Sequence, residues 1–416
     1  MVPGRRSTVG DLALPRDVEA WTTIGMPETR ALVPQVLDWL RARDPEQLLR
    51  TVDGWPPATR LALRHVLITQ GLAPLVADVL ARPVADGLAV PAGARDTVTW
   101  LAEQIALSRT RAARFADDLR AILARAAATG VAVMPLKGGV IAFTHYHEAG
   151  LRPMADLDLL VRADDEAGLH DVVMGLGYRR VTGTVDGNTT FRRPDDRIVA
   201  LSTHPDNPRP VEVHTRLRRS VWIDRGGIDV APHLWASARA ASLLGQPVLV
   251  PDETALFVAV ASHAMGHLVR GAGRVLQWVD VAMLAAGGAV RDDDEALLDG
   301  DAARWVYPPL ALAARAFPND RSAAHVARLA PAVGTNLMRF AACVPLDDRA
   351  GLNLRGVHEG RLGWLHSRWH RWKPNPWLVR LVHPDAPYPL AYGGYVAGVA
   401  ARSVQRTLQR GARRDG

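Results

Sequence analysis

The sequence predicts an α+β protein, a small mixed β-sheet core flanked by N-terminal and C-terminal helical regions. Three observations carry that expectation. Apolar residues recur at three-to-four spacing up to about residue 130, short β-rich segments crowd into residues 131–217, and the helical spacing returns after Pro251.

Taken in order, ALVPQVLDWLRARDPEQLLRTV and DTVTWLAEQIALSRTRAARFADDLRAILARAAATG show the helical spacing, and Gly130 gives the second a stop signal. The texture then changes. VAVMPL (131–136), DLDLLV (156–161), GYRRVTG (177–183), RIVALST (197–203) and PVEVHTRL (210–217) are short and β-rich, with partial period-two alternation. Between the first three lie GGVIAFTHYHEAG and ADDEAGLHDVVMGLG, which read as helices. Asp252 is placed to cap a helix over ETALFVAVASHAMGHLV, and helical patterning continues past residue 340, broken by the acidic run Arg291-Asp292-Asp293-Asp294-Glu295. The expected organisation is an N-terminal helical region (1–110), an α/β core (111–250), a C-terminal helical domain (251–354) and a basic, tryptophan-rich tail (355–416).

Of 416 residues, 48% are hydrophobic and 22% charged, which supplies a sizeable core and argues against wholesale disorder. The formal net charge of +7 permits an anionic partner without demanding one. That excess is local: residues 355–416 carry ten Arg and one Lys against Glu359, Asp385 and Asp415, a net +8. Trp364, Trp369, Trp372 and Trp377 interleave there with Arg368, Arg371 and Lys373. Such a tail suits an anionic partner, nucleic acid or a membrane surface, and equally suits burial of the indoles against the helical domain. Cys343 stands alone, which excludes an intrachain disulfide and a cysteine-built metal site. The N-terminus is polar and proline-punctuated, and no run approaches the ~20 apolar residues of a membrane span, so a cytoplasmic protein without a transmembrane segment is expected.

The chemistry-bearing residues lie in the β-rich region. On an extended strand side chains i and i+2 share a face, so Asp156 and Asp158 point one way while Leu157 and Leu159 point the other. Glu212 and His214 share a face in the same manner, between Val211 and Val213. If the two strands are neighbours at about 4.8 Å, three carboxylates converge and repel one another. Divalent hard cations resolve that conflict, and two of them about 3.5–4 Å apart serve an in-line displacement at phosphorus. Upstream, a strand runs into Lys137-Gly138-Gly139 and then a helix. Paired glycines allow close backbone approach, helix-start amides can hold phosphate oxygens, and Lys137, one of only two lysines, adds a compact charge. Taken singly, each feature is better read as a solvated strand face, a simple turn or a surface acid. Their order along the chain favours the joint reading.

That order, Gly138-Gly139, Asp156-x-Asp158 and then Glu212 in a later strand, resembles the polymerase-β-type nucleotidyltransferase superfamily. More narrowly, LKGGVIAFTHYHEAGLRPMADLDLLVRADDEAGLHDVVMGLGYRRV, VEVHTRL and SHAMGHLVRGAGRVLQWVDVAML resemble the bacterial group of uncharacterised nucleotidyltransferases, over about residues 110–290. The resemblance implies a mixed-sheet core that uses Mg²⁺, two ions, and a nucleoside triphosphate. It implies Asp156 and Asp158 as metal ligands, Glu212 as the third acid, either ligand or base, and Gly138 and Gly139 as the triphosphate cradle. Lys137, Arg152 and His214 complete the nucleotide side. Arg152 either meets triphosphate or pairs with the acids, and His214 either orients the Glu212 carboxylate or is structural. Sixteen residues separate Gly139 from Asp156, more than is usual in the superfamily, a gap a longer helix after the glycines would absorb.

The expected reaction is transfer of a nucleoside monophosphate to an acceptor hydroxyl with release of pyrophosphate. The acceptor, a small molecule, a peptide or an RNA, stays open. Two alternatives stand beside it: a catalytically silent binding module, and an RNA-modifying enzyme that clamps its substrate with the basic tail. His263 and His267 have metal-ligand spacing on a helix, but Ala264 stands where a metalloprotease has glutamate, and a helix contact is the better reading. Trp278 and Asp280 are expected to pack or cap.

Overall fold

The computed structural model describes residues 26–181, 187–199, 204–220, 227–288, 301–346 and 375–412. Helices α1 (Met26–Ala42), α2 (Pro45–Asp53), α3 (Pro57–Gln70), α4 (Ala73–Ala85) and the 34-residue α5 (Arg95–Ala128) come first. The first periodic run is two helices because Asp44 caps α2, accepting from Gln47 N–H at 2.9 Å, with Pro45 in its first turn. α5 stops where expected. Gly130 takes φ +73°, and the bonds from Val131 N–H to Ala126 O (2.9 Å) and Gly130 N–H to Ala127 O (3.2 Å) close a Schellman motif.

The sheet follows. β1 (Val133–Leu136), α6 (Gly138–Thr144), β2 (Leu157–Val161), α7 (Glu166–Gly175), β3 (Arg179–Arg180), β4 (Asn188–Arg192) and β5 (Val211–His214) give a five-stranded sheet in the order β1-β2-β5-β4-β3. Only β2 and β5 are parallel; the other neighbours are antiparallel, so the sheet is mixed as expected. β1 and β2 are buried along their whole length, and α6 packs on both.

Two expectations need correcting. RIVALST does not continue as a strand in its described part, residues 197–199, where Ile198 and Val199 are 57% and 40% exposed; residues 200–203 lie outside the described residues. The strand is NTTFR, β4, in which Thr189 and Phe191 are buried and the polar residues between them hide the pattern. Second, the helix after the glycines is not lengthened. α6 ends at Thr144, and residues 145–156 span the gap with a 3₁₀ turn, Ala149–Leu151, and irregular chain.

β6 (Arg218–Ser220) pairs with β7 (Gly227–Asp229), and α8 (Ala231–Ala236) leads into the hairpin β8 (Arg239–Leu243) and β9 (Gln246–Val250). Its two turn residues, Leu244 and Gly245, both have positive φ, which matches a two-residue turn to the strand twist. Helices α9 (Glu253–Leu268), α10 (Val275–Ala286), α11 (Asp301–Ala316), α12 (Asp320–Leu329), α13 (Thr335–Cys343), α14 (Pro376–Val382) and α15 (Tyr388–Ala412) complete the described chain. Asp252 caps α9 as expected, accepting from Ala255 N–H at 2.8 Å. One contiguous core runs from Leu32 on α1 to Leu381 on α14. Trp377 is fully buried in it with its ring 4.7 Å from that of Phe340, so this tail indole is a core residue. Trp364, Trp369, Trp372 and the acidic run 291–295 lie outside the described residues.

Candidate active site

The parallel pairing of β2 with β5 sets Asp158 opposite Glu212 and Leu160 opposite His214. On β5 the valines are buried in the core while Glu212 keeps partial exposure, as the alternation requires. His214 Nε2 lies 2.8 Å from Asp158 Oδ1 and 3.7 Å from Glu212 Oε2, and Asn188 Nδ2 on β4 donates to Glu212 Oε2 at 3.4 Å. Asp158, Glu212 and His214 each offer a ligand atom, all within 4.8 Å of one another, and could hold a metal ion. His214, expected beside the ligands, thus stands among the candidate ligands.

Asp156 sits immediately before β2, two residues from Asp158 and outside that trio. Burial, and then the Asp158 charge, push the Asp156 carboxyl well above the ordinary carboxylate range. Asp158 moves the other way. Burial opposes its charge, but the Lys137 ammonium and the His214 hydrogen bond hold it below its ordinary range. The two carboxyls are therefore shifted in opposite directions although the sequence presents them as a matched pair.

Lys137 joins β1 to α6 and forms a largely buried ion pair with Asp158 Oδ1. Its backbone, at φ 48° and ψ −122°, is in a region L-residues rarely adopt, a strain of about 1–3 kcal/mol that surrounding structure must hold. The glycines that follow are not equivalent. A Cβ on Gly138 would overlap Arg152 Nη1 and stand 3.1 Å from Met154 Cγ, whereas one on Gly139 would meet nothing closer than 3.7 Å.

Arg152 pairs with neither Asp156 nor Asp158. Its Nε and Nη2 donate to Asp280 on α10, at 2.9 Å to Oδ1 and 2.7 Å to Oδ2, and the Tyr146 hydroxyl donates to the same Oδ1 at 2.8 Å. Asp280 is 2% exposed, so its expected packing role is a buried ion pair that ties the C-terminal helices to the glycine turn. Burial, then the Asp280 charge, raises the Tyr146 hydroxyl well above its ordinary value and keeps it a donor. Trp278 packs and donates Nε1–H to Leu346 O at 3.0 Å. His263 and His267 contact each other, Nε2 to Nε2 at 3.0 Å, away from the acids' ligand group.

The residues that sequence reading missed lie on α5. Arg111 and Asp118 are buried charges, seven residues apart, beside its apolar stripe of Leu101, Ile105, Ala112, Phe115 and Leu119. Asp118 accepts from Arg193 Nη2 and Arg209 Nε, each at 2.8 Å, and among the described residues Arg111 donates only to loop carbonyls. A charge intruding on a helix's apolar side was the one available signal.

Residues 57–317 match the sequence model of a family described as uncharacterised nucleotidyltransferase. The chain belongs to this family. No curated protein and no solved structure matches it. The matched span opens at the first residue of α3 and closes just after α11, so every candidate site residue lies inside it and the basic tail lies beyond it. Membership of a nucleotidyltransferase family implies a nucleotide substrate. Among the described residues no single helix is long and apolar enough to cross a membrane.

Proposed function

We propose that the protein is a metal-dependent nucleotidyltransferase that moves a nucleoside monophosphate from a nucleoside triphosphate to an acceptor hydroxyl. The acceptor oxygen bonds to the α-phosphorus, the bond from that phosphorus to its bridging oxygen breaks, and pyrophosphate leaves with the electron pair. The acceptor proton passes to a base. The observation that carries this reading is the parallel register that sets Asp158 against Glu212, with His214 closing on both.

The donor set fits a divalent cation. Asp158 and Glu212 offer hard carboxylate oxygens, Asp156 stands two residues away, and the His214 imidazole is a ligand that Mn²⁺ accepts as well. Bound there, one or two such ions supply charge neutralisation at the reacting phosphate and the leaving group. The chain's own residues do the rest. Lys137 and His214 fix the Asp158 carboxylate from two sides. Glu212, partly exposed, serves as a ligand or as the base that takes the acceptor proton. The glycine turn is the expected triphosphate side of the site, and the space beside Gly138 is filled by the remaining nitrogen of Arg152, itself locked by Asp280.

The test is pyrophosphate release by purified protein with Mg²⁺, each triphosphate and a cell extract as acceptor source. Asp158→Asn keeps the shape and removes the charge, so release is expected to fall to background. Release at the wild-type rate in that variant would overturn the assignment.

A further inference from the structure

The carboxylates are delivered by two loops, one ending at Asp156 before β2 and the other at Pro210 before β5. Because these strands are parallel, both loops arrive at the same end of the sheet. Their carbonyls have few strand or helix partners, and buried carbonyls need donors.

One side chain supplies them. Arg111 is 3% exposed, and its guanidinium reaches five carbonyls: Nε to Met154 O (2.9 Å), Nη2 to Ala155 O (3.3 Å) and Pro208 O (2.8 Å), Nη1 to Asn207 O (2.9 Å) and His204 O (3.1 Å). Two of those carbonyls belong to the residues just before Asp156, and three lie within eight residues of Glu212. We propose that Arg111 is the positioning residue of the metal-binding group, fixing how the chain enters its two carboxylate strands by holding both incoming loops at once. The proposal rests on the nucleotidyltransferase reading for its effect on metal binding.

Neighbouring contacts make α5 a rail for the same loops. Ser108 Oγ donates to Gly150 O at 2.6 Å, and Gly150 lies so close to α5 that a Cβ there would stand 2.8 Å from Arg109 Cγ. Among the described residues no carboxylate lies within ion-pair distance of Arg111. A buried cation satisfied by carbonyls alone is a poor choice for stability, since an apolar residue of similar volume removes the desolvation cost. A planar fork with five donors is, however, the group that can bridge two loops in fixed geometry, which lysine cannot do from one point.

The test uses the full chain and Arg111→Lys, with Arg120→Ala as an exposed control on the same helix. In the metal-free protein, amide exchange is expected to rise together in residues 154–158 and 204–214 of the Arg111 variant, while the β8–β9 hairpin and α9 keep their protection. Mn²⁺ affinity by calorimetry is expected to weaken about 10–100-fold, the range for residues that orient ligands without touching metal. Exchange that rises in one loop alone or in neither, or an unchanged Mn²⁺ affinity in a variant whose loops have loosened, overturns the proposal. If the wild type binds no Mn²⁺, it is the nucleotidyltransferase reading that fails, and the exchange pattern alone decides the role of Arg111.

Discussion

Replacing each glycine of the Lys137-Gly138-Gly139 turn by alanine should separate two positions that look alike in sequence. At Gly138 the added methyl overlaps Arg152 Nη1, ordinarily a cheap clash because a guanidinium is the far end of a flexible chain. Here Arg152 has no room to withdraw: Nε and Nη2 are bonded to Asp280, itself held by Tyr146, and Met154 Cγ closes the other side at 3.1 Å. Overpacking of this kind costs about 1–3 kcal/mol, and losing the buried ion pair instead would cost about 3–5. At Gly139 the nearest atoms stand 3.7–3.8 Å away, an ordinary contact, and alanine in a helix gains up to about 1 kcal/mol. Gly138→Ala should therefore fall about 1–3 kcal/mol below Gly139→Ala in side-by-side denaturant unfolding, the overpacking cost alone, because both glycines lie in α6 and share the helix gain. If the pinning is the cause, the gap should shrink in an Asp280→Asn background, a double-mutant cycle that reads the coupling directly. Equal stability of the two alanine variants would refute this account of the turn.

Other outcomes follow from groups outside the site. His170 is buried against Phe191, and its Nδ1 accepts from Arg180 Nη2 at 2.8 Å, an arrangement that needs a neutral ring. Burial, then Arg180, holds its pKa below the ordinary 6.5, so the unfolded chain binds the proton first and stability is lost as pH falls from about 6.5 toward the lowered folded value. His170→Asn, which keeps an acceptor for Arg180, should flatten that slope in unfolding measured from pH 7.5 to 5; an unchanged slope would count against it. Trp377→Ala should cost about 3–5 kcal/mol by thermal unfolding, since the indole is fully buried against Phe340, and a neutral result would detach α14 from the core.

What could be read from the sequence and what could not divides along one physical line. β2 and β5 announced themselves because alternation is a local property: Leu157 and Leu159 against Asp158, Val211 and Val213 against Glu212 and His214. The approach of the acids followed from that alternation once the strands were neighbours, and they are. β4 escaped because Asn188, Thr189 and Thr190 are polar, and burial of Thr189 is decided by β5 rather than by its own composition. RIVALST misled because apolar, β-branched residues need a face to bury, and Ile198 and Val199 have none. Arg152 with Asp280 was illegible for another reason: 128 residues separate the partners, and nothing local distinguishes either from a surface charge. The five carbonyls that hold Arg111 leave no trace in side-chain pattern at all.

Lys137 brings these strands of argument to one residue. It has to end β1, begin α6 and turn the chain within a single step, and it does so at φ 48°, where glycine would be relaxed. Glycine would lack the ammonium that faces Asp158. A guanidinium, the commoner cation of this chain, is planar and bulkier, and Asp158 Oδ1 already receives His214 from its other side. The strain and the residue type are thus explained by the same demand, a compact positive charge on the carboxylate of a strand buried along its whole length. Burial, and then the Asp158 charge, already raise Asp156, and without such compensation burial and its neighbours would push Asp158 the same way. Lys137 and His214 keep Asp158 ionised, and an ionised Asp158 is what makes this end of the sheet able to receive a cation.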